Sequence, residues 1–244
     1  MRKLALLSDI HGNLEALTAV VAQARAVGAD AFACLGDVVG YGADPVACCD
    51  LLRSLAPVAV ILGNHDAYAA DDRDLDNFNS MAQVATLWTR RQLDQERRTW
   101  LAALPLQAAP APDVELVHAS PSEPAAWNYV RFTGEGARAM LDQKTRLCFY
   151  GHTHVPMAFR RVGDAIEQLP GGDYDLASGD AWLVNVGSVG QPRDGDWRAA
   201  WTLLDMAGQR ITLHRVEYDL QACQAKILAA GLPPRLAERL QVGR

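Results

Sequence analysis

Five of the six histidines in this chain lie in a series of short polar blocks, and each block follows an apolar run of strand length. Leu4–Leu7 leads into Asp9-x-His11, and Ala31–Leu35 into Gly36-Asp37. Val58–Leu62 leads into Gly63-Asn64-His65-Asp66, Val114–Val117 into His118, and Leu147–Tyr150 into Gly151-His152-Thr153-His154. Strands that empty into such loops gather their polar residues along one edge of a sheet, where open α/β sheets bind ligands. Asp9, His11, Asp37, Asn64, His118, His152 and His154 combine imidazole nitrogens, carboxylates and an amide oxygen. That donor set suits divalent Mn, Fe, Zn, Co or Ni rather than a thiolate site. It is too large for one tetrahedral ion, and two ions sharing a carboxylate fit it.

Taken singly, each block has an ordinary explanation. Asp9 between a strand and a helix suits an N-cap, and the Gly36-Asp37 and Gly63–Asp66 blocks are rich in turn formers. A lone His118 suits a hydrogen-bonded interior residue. Turn chemistry accounts for Gly, Asn and Asp, but it gives no reason for histidine to concentrate in the same places. The sixth histidine, His214, falls in the alternating segment Ile211–Val216 and reads as a solvent-side strand residue.

In that order, the blocks resemble the signature of the calcineurin-like metallophosphoesterases. Within that superfamily, Gly36–Gly42 and Asn185–Arg193 resemble a compact bacterial and archaeal phosphodiesterase-like branch, and the resemblance runs from Leu4 to about Arg193. It implies an α/β fold, a four-layer αββα sandwich with two mixed β-sheets, and two divalent transition-metal ions with Mn²⁺ foremost. Asp9, His11 and His154 would hold one ion, Asn64, His118 and His152 the other, and Asp37 would bridge them. Two ions ~3.5–4 Å apart can serve nucleophile and phosphate together, with a hydroxide held between them attacking phosphorus in line. His65 would stand outside the metal shell and serve the leaving oxygen, oriented by Asp66. Arg193, in the Gln191-Pro192-Arg193 turn, would contact phosphate. Amidohydrolase barrels also use a His-x-His pair, but they open on it, whereas here the pair comes late.

Composition agrees with one globular α/β domain over residues 1–244, with 219–244 as a helical extension packed on it. The chain has 244 residues, 50% hydrophobic and 21% charged, enough to bury a substantial core. No apolar run reaches the ~18 residues of a membrane span, and Met1–Leu7 turns polar at Ser8, as a first strand does and a signal peptide does not. Cys34, Cys48, Cys49, Cys148 and Cys223 lack Cys-x-x-Cys spacing and read as reduced residues of a cytoplasmic protein. The net charge of −6, without a basic stripe in the sequence, argues against long DNA or RNA as a partner. Positive potential would come from the ions, and small phosphate esters are the expected partners.

Periodicity places a helix between Asn13 and Gly28, a second from Asp44-Pro45 toward Leu55, and a helical region from Asn79 to Leu104 that breaks near Asp94. After His118 the pattern predicts strands at Leu147–Tyr150, Pro156–Arg161, Ala165–Gln168, Trp182–Val186, Ala199–Leu204 and Ile211–Val216, with few helices, as a second sheet. The Asp71–Asp74 run reads as a solvated loop or helix entrance. Ala119–Gly136 reads as a long loop shaping the substrate mouth. The tail from Asp219, with Pro233-Pro234 between two short helices, is read as an outer packing element or an oligomer contact.

In the protein Ser/Thr phosphatases of the superfamily, an arginine that grips phosphate follows the Gly-Asp block. Here Val39-Gly40-Tyr41-Gly42 stands in its place, which ranks phosphodiesters and phosphoanhydrides, including nucleotides and dinucleoside polyphosphates, ahead of phosphomonoesters. A catalytically silent binding scaffold on the same fold is the alternative from another class. Such a scaffold would have no need of a complete ligand set and His65.

Overall fold

Strands and helices alternate through the first half of the chain and give way mainly to strands in the second. The computed structural model describes residues 2–244. Its first half contains β1 (Lys3–Leu7), α1 (Leu14–Ala26), β2 (Ala31–Cys34), α2 (Pro45–Ser54), β3 (Ala59–Val60), α3 (Asn64–Ala70), α4 (Ser80–Gln92), α5 (Gln95–Ala102), β4 (Gln107–Ala111) and β5 (Val114–Val117). There follow α6 (Thr133–Asp142), β6 (Leu147–Tyr150), β7 (Met157–Val162), β8 (Ala165–Pro170), β9 (Asp173–Asp175), β10 (Ala181–Asn185), β11 (Ala199–Asp205), β12 (Arg210–Val216), α7 (Leu220–Ala229) and α8 (Pro234–Gln241).

Side chains of period two sort into three apolar seams, and the seams define the layers. Ala5 and Leu7 of β1 enter the seam beneath α1, α2, α4, α7 and α8, while Leu4 and Leu6 enter the seam between the sheets. In the facing sheet, Phe149, Trp182 and Val184 fill the same middle seam. Cys148, Tyr150, Ala181 and Leu183 turn outward to meet Ala139 and Met140 of α6. The result is the αββα sandwich. Both sheets have six strands and are mixed, in the orders β3-β2-β1-β11-β12-β9 and β4-β5-β6-β10-β7-β8.

The strands do not divide along the chain as the sequence suggests. β11 pairs antiparallel with β1, so the late strands β11 and β12 complete the first sheet. β5 and β6 belong to the second. The histidine-bearing blocks therefore sit on two facing sheet edges rather than one. Within each sheet the relevant neighbours, β1 with β2 and β3, and β5 with β6 and β10, run parallel. Their C-terminal ends share one side of the sandwich.

Local chemistry explains the helix ends. The Asn13 side chain accepts from the Ala16 amide at 3.0 Å to cap α1, and Asp94 accepts from Arg97 at 2.9 Å to separate α5 from α4. Asp44 precedes Pro45 as expected but makes no capping bond; its carboxylate instead meets Lys226 Nζ of α7 at 2.8 Å. Cys223, Ile227, Leu236 and Leu240 fasten the two tail helices to the outer seam.

Four features depart from the sequence reading. The Gly63–Asp66 block opens a helix, α3, and the long loop ends at Phe132 because α6 begins at Thr133. β4 and β9 lack an alternating pattern and went unread. His214 is half-buried, its ring stacked on Trp201 at 4.4 Å, so it is not a free solvent-side residue. All five cysteines are buried and unpaired. No helix among the described residues is long and apolar enough to cross a membrane.

Candidate metal centre

The turns after β1, β2, β3, β5 and β6 bring together the residues singled out by the histidine blocks. Three groups of ligand atoms, each within 4.8 Å of one another, could hold a metal ion: Asp9, His11 and His154; His11, Asp37 and His65; and Asp37, His118 and His152. All are buried. Backbone strain concentrates here as well. Of the eleven non-glycine residues with positive φ among the described residues, Asp9, His11, Asp37, His152 and His154 are in this cluster, and Tyr41 adjoins it. A left-handed conformation costs ~1–3 kcal/mol per residue and persists only where surrounding contacts fix it, commonly at functional sites.

Those contacts fix the lone pairs too. Nδ1 of His11, His118 and His154 lies 3.2, 2.7 and 2.6 Å from the carbonyl oxygens of Val39, Leu35 and Gln191. A carbonyl can only accept, so in the neutral ring Nδ1 carries the proton and Nε2 presents a lone pair. His11 Nε2 and His154 Nε2 are then two acceptors facing each other at 3.1 Å, a repulsive arrangement that a cation resolves. Asp9 Oδ2 accepts the His152 amide at 3.0 Å and Asp37 Oδ1 the His65 amide at 2.8 Å. Their other oxygens, Asp9 Oδ1 and Asp37 Oδ2, have no hydrogen-bond partner among the described residues, nor do Asn64 Oδ1, His118 Nε2 and His152 Nε2. Buried unpaired acceptors cost ~1–3 kcal/mol each, more if charged. Convergent and bare, they form the nitrogen and oxygen set that divalent transition metals take. Asp37 Oδ2 stands 3.3 Å from His118 Nε2 and 3.7 Å from His11 Nε2, between the two halves.

Two glycines make room for this. A Cβ on Gly63 would overlap the amide and carboxylate of Asp37, and one on Gly40, whose φ is +93°, would lie 2.8 Å from His65 Nδ1.

Sequence reasoning marked Asn185–Arg193 as part of the resemblance but gave Asn185, Ser188 and Gln191 no role, and these residues buttress the turns. Asn185 donates to the carbonyl of Gly151 at 2.6 Å and to Thr153 Oγ1 at 3.0 Å. Ser188 Oγ donates to the Asp9 carbonyl at 2.9 Å and accepts from the Gln191 amide. The Asn185–Gln191 segment thus holds the first and last ligand turns against each other. The signal available in the sequence was a run of small and amide residues directly after an apolar strand.

His65 packs edge-on to His11 at 4.9 Å and stacks on Phe78 at 4.8 Å, and its Nδ1 has no partner among the described residues. Burial pulls its pKa down to about 4 against the opposing charge of Asp37, so its imidazole is neutral near pH 7. Asp66 does not orient it. The Asp66 carboxylate accepts from the amides of Val39 at 3.1 Å and Gly63 at 3.3 Å, tying together the two turns that flank Asp37. Burial and the Asp37 charge raise its pKa to about 8.

Above the cluster opens a cleft of about 440 Å³, lined by Asn64, His65, His152 and His154 at its base and by Tyr41, Tyr68, Phe78, Trp127 and Tyr129 on its walls. Arg193 reaches it through a guanidinium 5.9 Å from the Tyr41 ring, held by Gln191 Oε1 at 2.8 Å, with Nε left unpaired among the described residues. The Ala119–Phe132 loop contributes Ala126, Trp127 and Tyr129.

The histidines titrate unequally. Burial lowers His11, His152 and His154, whereas at His118 the Asp37 carboxylate outweighs burial and raises the pKa to about 9. With a folded pKa above its unfolded value, the His118–Asp37 pair stabilises the metal-free protein fully below about pH 6.5, and that stability is lost as pH rises through about 9. A metal ion ligated by His118 would have to displace the same proton. Mn²⁺ binding at pH 7 is therefore expected to release protons and to strengthen toward pH 9, which calorimetry in buffers of different ionisation enthalpy measures. Affinity flat across this range would contradict the ligation of His118.

Comparison with known proteins finds similarity along the whole chain. The chain is 37% identical over 247 residues to an uncharacterised protein of Methanocaldococcus jannaschii, covering 99% of this chain and 98% of that one. Its fold superposes on a metallophosphoesterase from Sphaerobacter thermophilus with a TM-score of 0.87 at 40% identity, covering 99% of both chains. A hypothetical protein from Pyrococcus horikoshii shares the fold at a TM-score of 0.81 and 21% identity, covering 100% of this chain and 99% of that one. The calcineurin-like phosphoesterase superfamily domain matches residues 2–208. With the sandwich, the donor cluster and this match in agreement, the chain belongs to the calcineurin-like phosphoesterase superfamily.

Proposed function

We propose that the protein is a two-metal phosphoesterase that hydrolyses phosphodiester or phosphoanhydride bonds of small substrates. The observation that carries this reading is Asp37 Oδ2, buried, without a hydrogen-bond partner among the described residues and set between His118 Nε2 and His11 Nε2. Asp9, His11 and His154 would hold one ion, Asn64, His118 and His152 the other, with Asp37 shared. Divalent ions held there would supply positive charge for the phosphoryl oxygens and would lower the pKa of a nearby water.

The protein's own groups do the rest. The carbonyls of Val39, Leu35 and Gln191 hold the Nδ1 protons of three imidazoles and aim their Nε2 atoms at the cluster, so only the additional proton of His118 must leave before ligation. His65, neutral and beside the cluster, donates an N–H to the oxygen that leaves. Arg193 places a guanidinium at the Tyr41 wall, where the sequence lacks an arginine after Gly36-Asp37, and orients phosphate from there.

The test is a substrate ranking with purified, Mn²⁺-loaded protein. Bis(p-nitrophenyl) phosphate and dinucleoside polyphosphates are expected to turn over faster than p-nitrophenyl phosphate. A monoester ranked first would replace the diesterase reading with a phosphomonoesterase, and no turnover of any ester would leave a binding scaffold.

A further inference from the structure

Among the aromatic rings that line the cleft, four are already partnered. Tyr41 packs on His11 and His65 at 4.8 and 4.5 Å, and Phe78 on His65 at 4.8 Å. Tyr68 is tilted on Phe78 at 4.6 Å, with the Arg73 guanidinium 5.4 Å from its centre. Tyr129 lies between His152 at 4.3 Å and the Arg131 guanidinium at 4.7 Å. Trp127 differs. Its aromatic contact is edge-on to His118, at 5.7 Å and 76°, and no ring or cation stacks on its indole among the described residues.

We propose that Trp127 is a stacking platform for a nucleobase, so that the cleft selects phosphate esters of single nucleosides; this deepens the phosphoesterase reading and rests on it. The backbone holds Trp127 in place at some cost. It follows the 3₁₀ turn Pro124–Ala126 with φ +54°, and the turn is entered at Glu123 with φ +51°. Bulky residues rarely adopt that conformation, and a loop that imposes it fixes the indole beside the cleft rather than leaving it to solvent. The position suits a substrate anchored by phosphate below, because the indole stands over His118, a member of the cluster.

The rest of the lining fits a base better than an acyl chain. Asn77 and Asn79 also line the cleft, and Asn79 uses its side-chain oxygen to cap α4 at the Ala82 amide, which leaves its NH₂ as a donor. An aromatic face with amide groups at hand serves the face and the edge of a base together, whereas an acyl chain needs aliphatic walls. One guanidinium at the cleft and a net charge of −6 favour a single nucleotide over a strand, whose backbone would need many phosphate contacts.

The test compares the affinities of the Mn²⁺-loaded protein for AMP, ribose 5-phosphate and phenyl phosphate by calorimetry. AMP and ribose 5-phosphate share phosphate and ribose, so disturbance of the metals affects both, and their ratio isolates the base. Base–aromatic stacking predicts an AMP preference of about 5- to 150-fold over ribose 5-phosphate in the wild type. Trp127→Ala should close most of that ratio, and Trp127→Phe should restore part of it. Equal affinity for AMP and ribose 5-phosphate in the wild type, phenyl phosphate binding as tightly as AMP, or an undiminished ratio in Trp127→Ala would each overturn the proposal. The wild-type comparison decides the matter even if a variant fails to fold. If bis(p-nitrophenyl) phosphate is hydrolysed with no base preference, only this inference falls; if no ester is hydrolysed, the phosphoesterase reading falls with it.

Discussion

Asp37→Asn is expected to empty both halves of the metal centre, whereas Asp9→Asn empties chiefly one. The reason is geometric. Asp37 Oδ2 lies 3.3 Å from His118 Nε2 and 3.7 Å from His11 Nε2, while Asp9 Oδ1 lies 3.3 Å from His154 Nε2 and 3.9 Å from His11 Nε2, all on one side. Removing the Asp37 charge leaves the His118 half with no anionic donor and the His11 half with Asp9 alone, in a buried pocket where ion charge needs compensation. The wild-type protein reconstituted with Mn²⁺ should hold roughly two ions per chain, Asp9→Asn roughly one, and Asp37→Asn well below one, with activity following metal content. Elemental analysis after gel filtration reads all three. Chelation should abolish hydrolysis, Mn²⁺ should restore it, and Mg²⁺ should restore it weakly because imidazole suits it poorly. Equal metal content in the two variants would remove Asp37 from the shared position. A wild type that takes up well under one equivalent would end the two-metal reading.

For His65→Ala, both metals should stay and the loss of activity should depend on the leaving group. His65 lies in contact with His11, and its amide holds Asp37 Oδ1, but that bond comes from the backbone and survives the substitution. The side chain is buried, neutral and free at Nδ1. Loss of a positioned donor costs ~10²–10⁴-fold on alkyl or nucleotide esters, whose leaving oxygen needs a proton. A nitrophenolate leaves as a stable anion, so nitrophenyl esters should lose less than ~10-fold. His65 also falls within one of the three potential ligand groups, with His11 and Asp37. The metal content of the variant therefore separates the two roles: a ligand would take an ion with it and depress every substrate alike, and that outcome would sink the leaving-group assignment.

The candidate site was more legible in the sequence than the topology. Histidine has no turn propensity to explain its repeated appearance after strand-length runs, so the donor set could be picked out before any fold was known. Asp66 shows the limit. As the neighbour of His65 it invited a catalytic partnership, but side chains at successive helical positions diverge. The opening turn of α3 sends the Asp66 carboxylate to the amides of Val39 and Gly63 instead. The Asn185, Ser188 and Gln191 buttress was equally hidden, because each bond spans more than thirty residues of chain or closes a tight local turn.

What the sequence determined by itself was local: alternation of apolar side chains, the helix bounds at Asn13 and Asp44, the helix pattern from Asn79 to Leu104 with its break near Asp94, and which residues could be donors. Only the tertiary structure decided that β11 pairs with β1 and β5 with β6, because antiparallel and parallel ladders draw on the same backbone groups and carry no label in the chain. That pairing sets two edges face to face instead of building one. It brings His11 Nε2 within 3.1 Å of His154 Nε2 across 143 residues, and it places Trp127 beside His118. The chain could name its candidate donors because side-chain chemistry is written residue by residue. Which lone pairs remain bare depends on every other group that competes for them, and only the folded packing settles that.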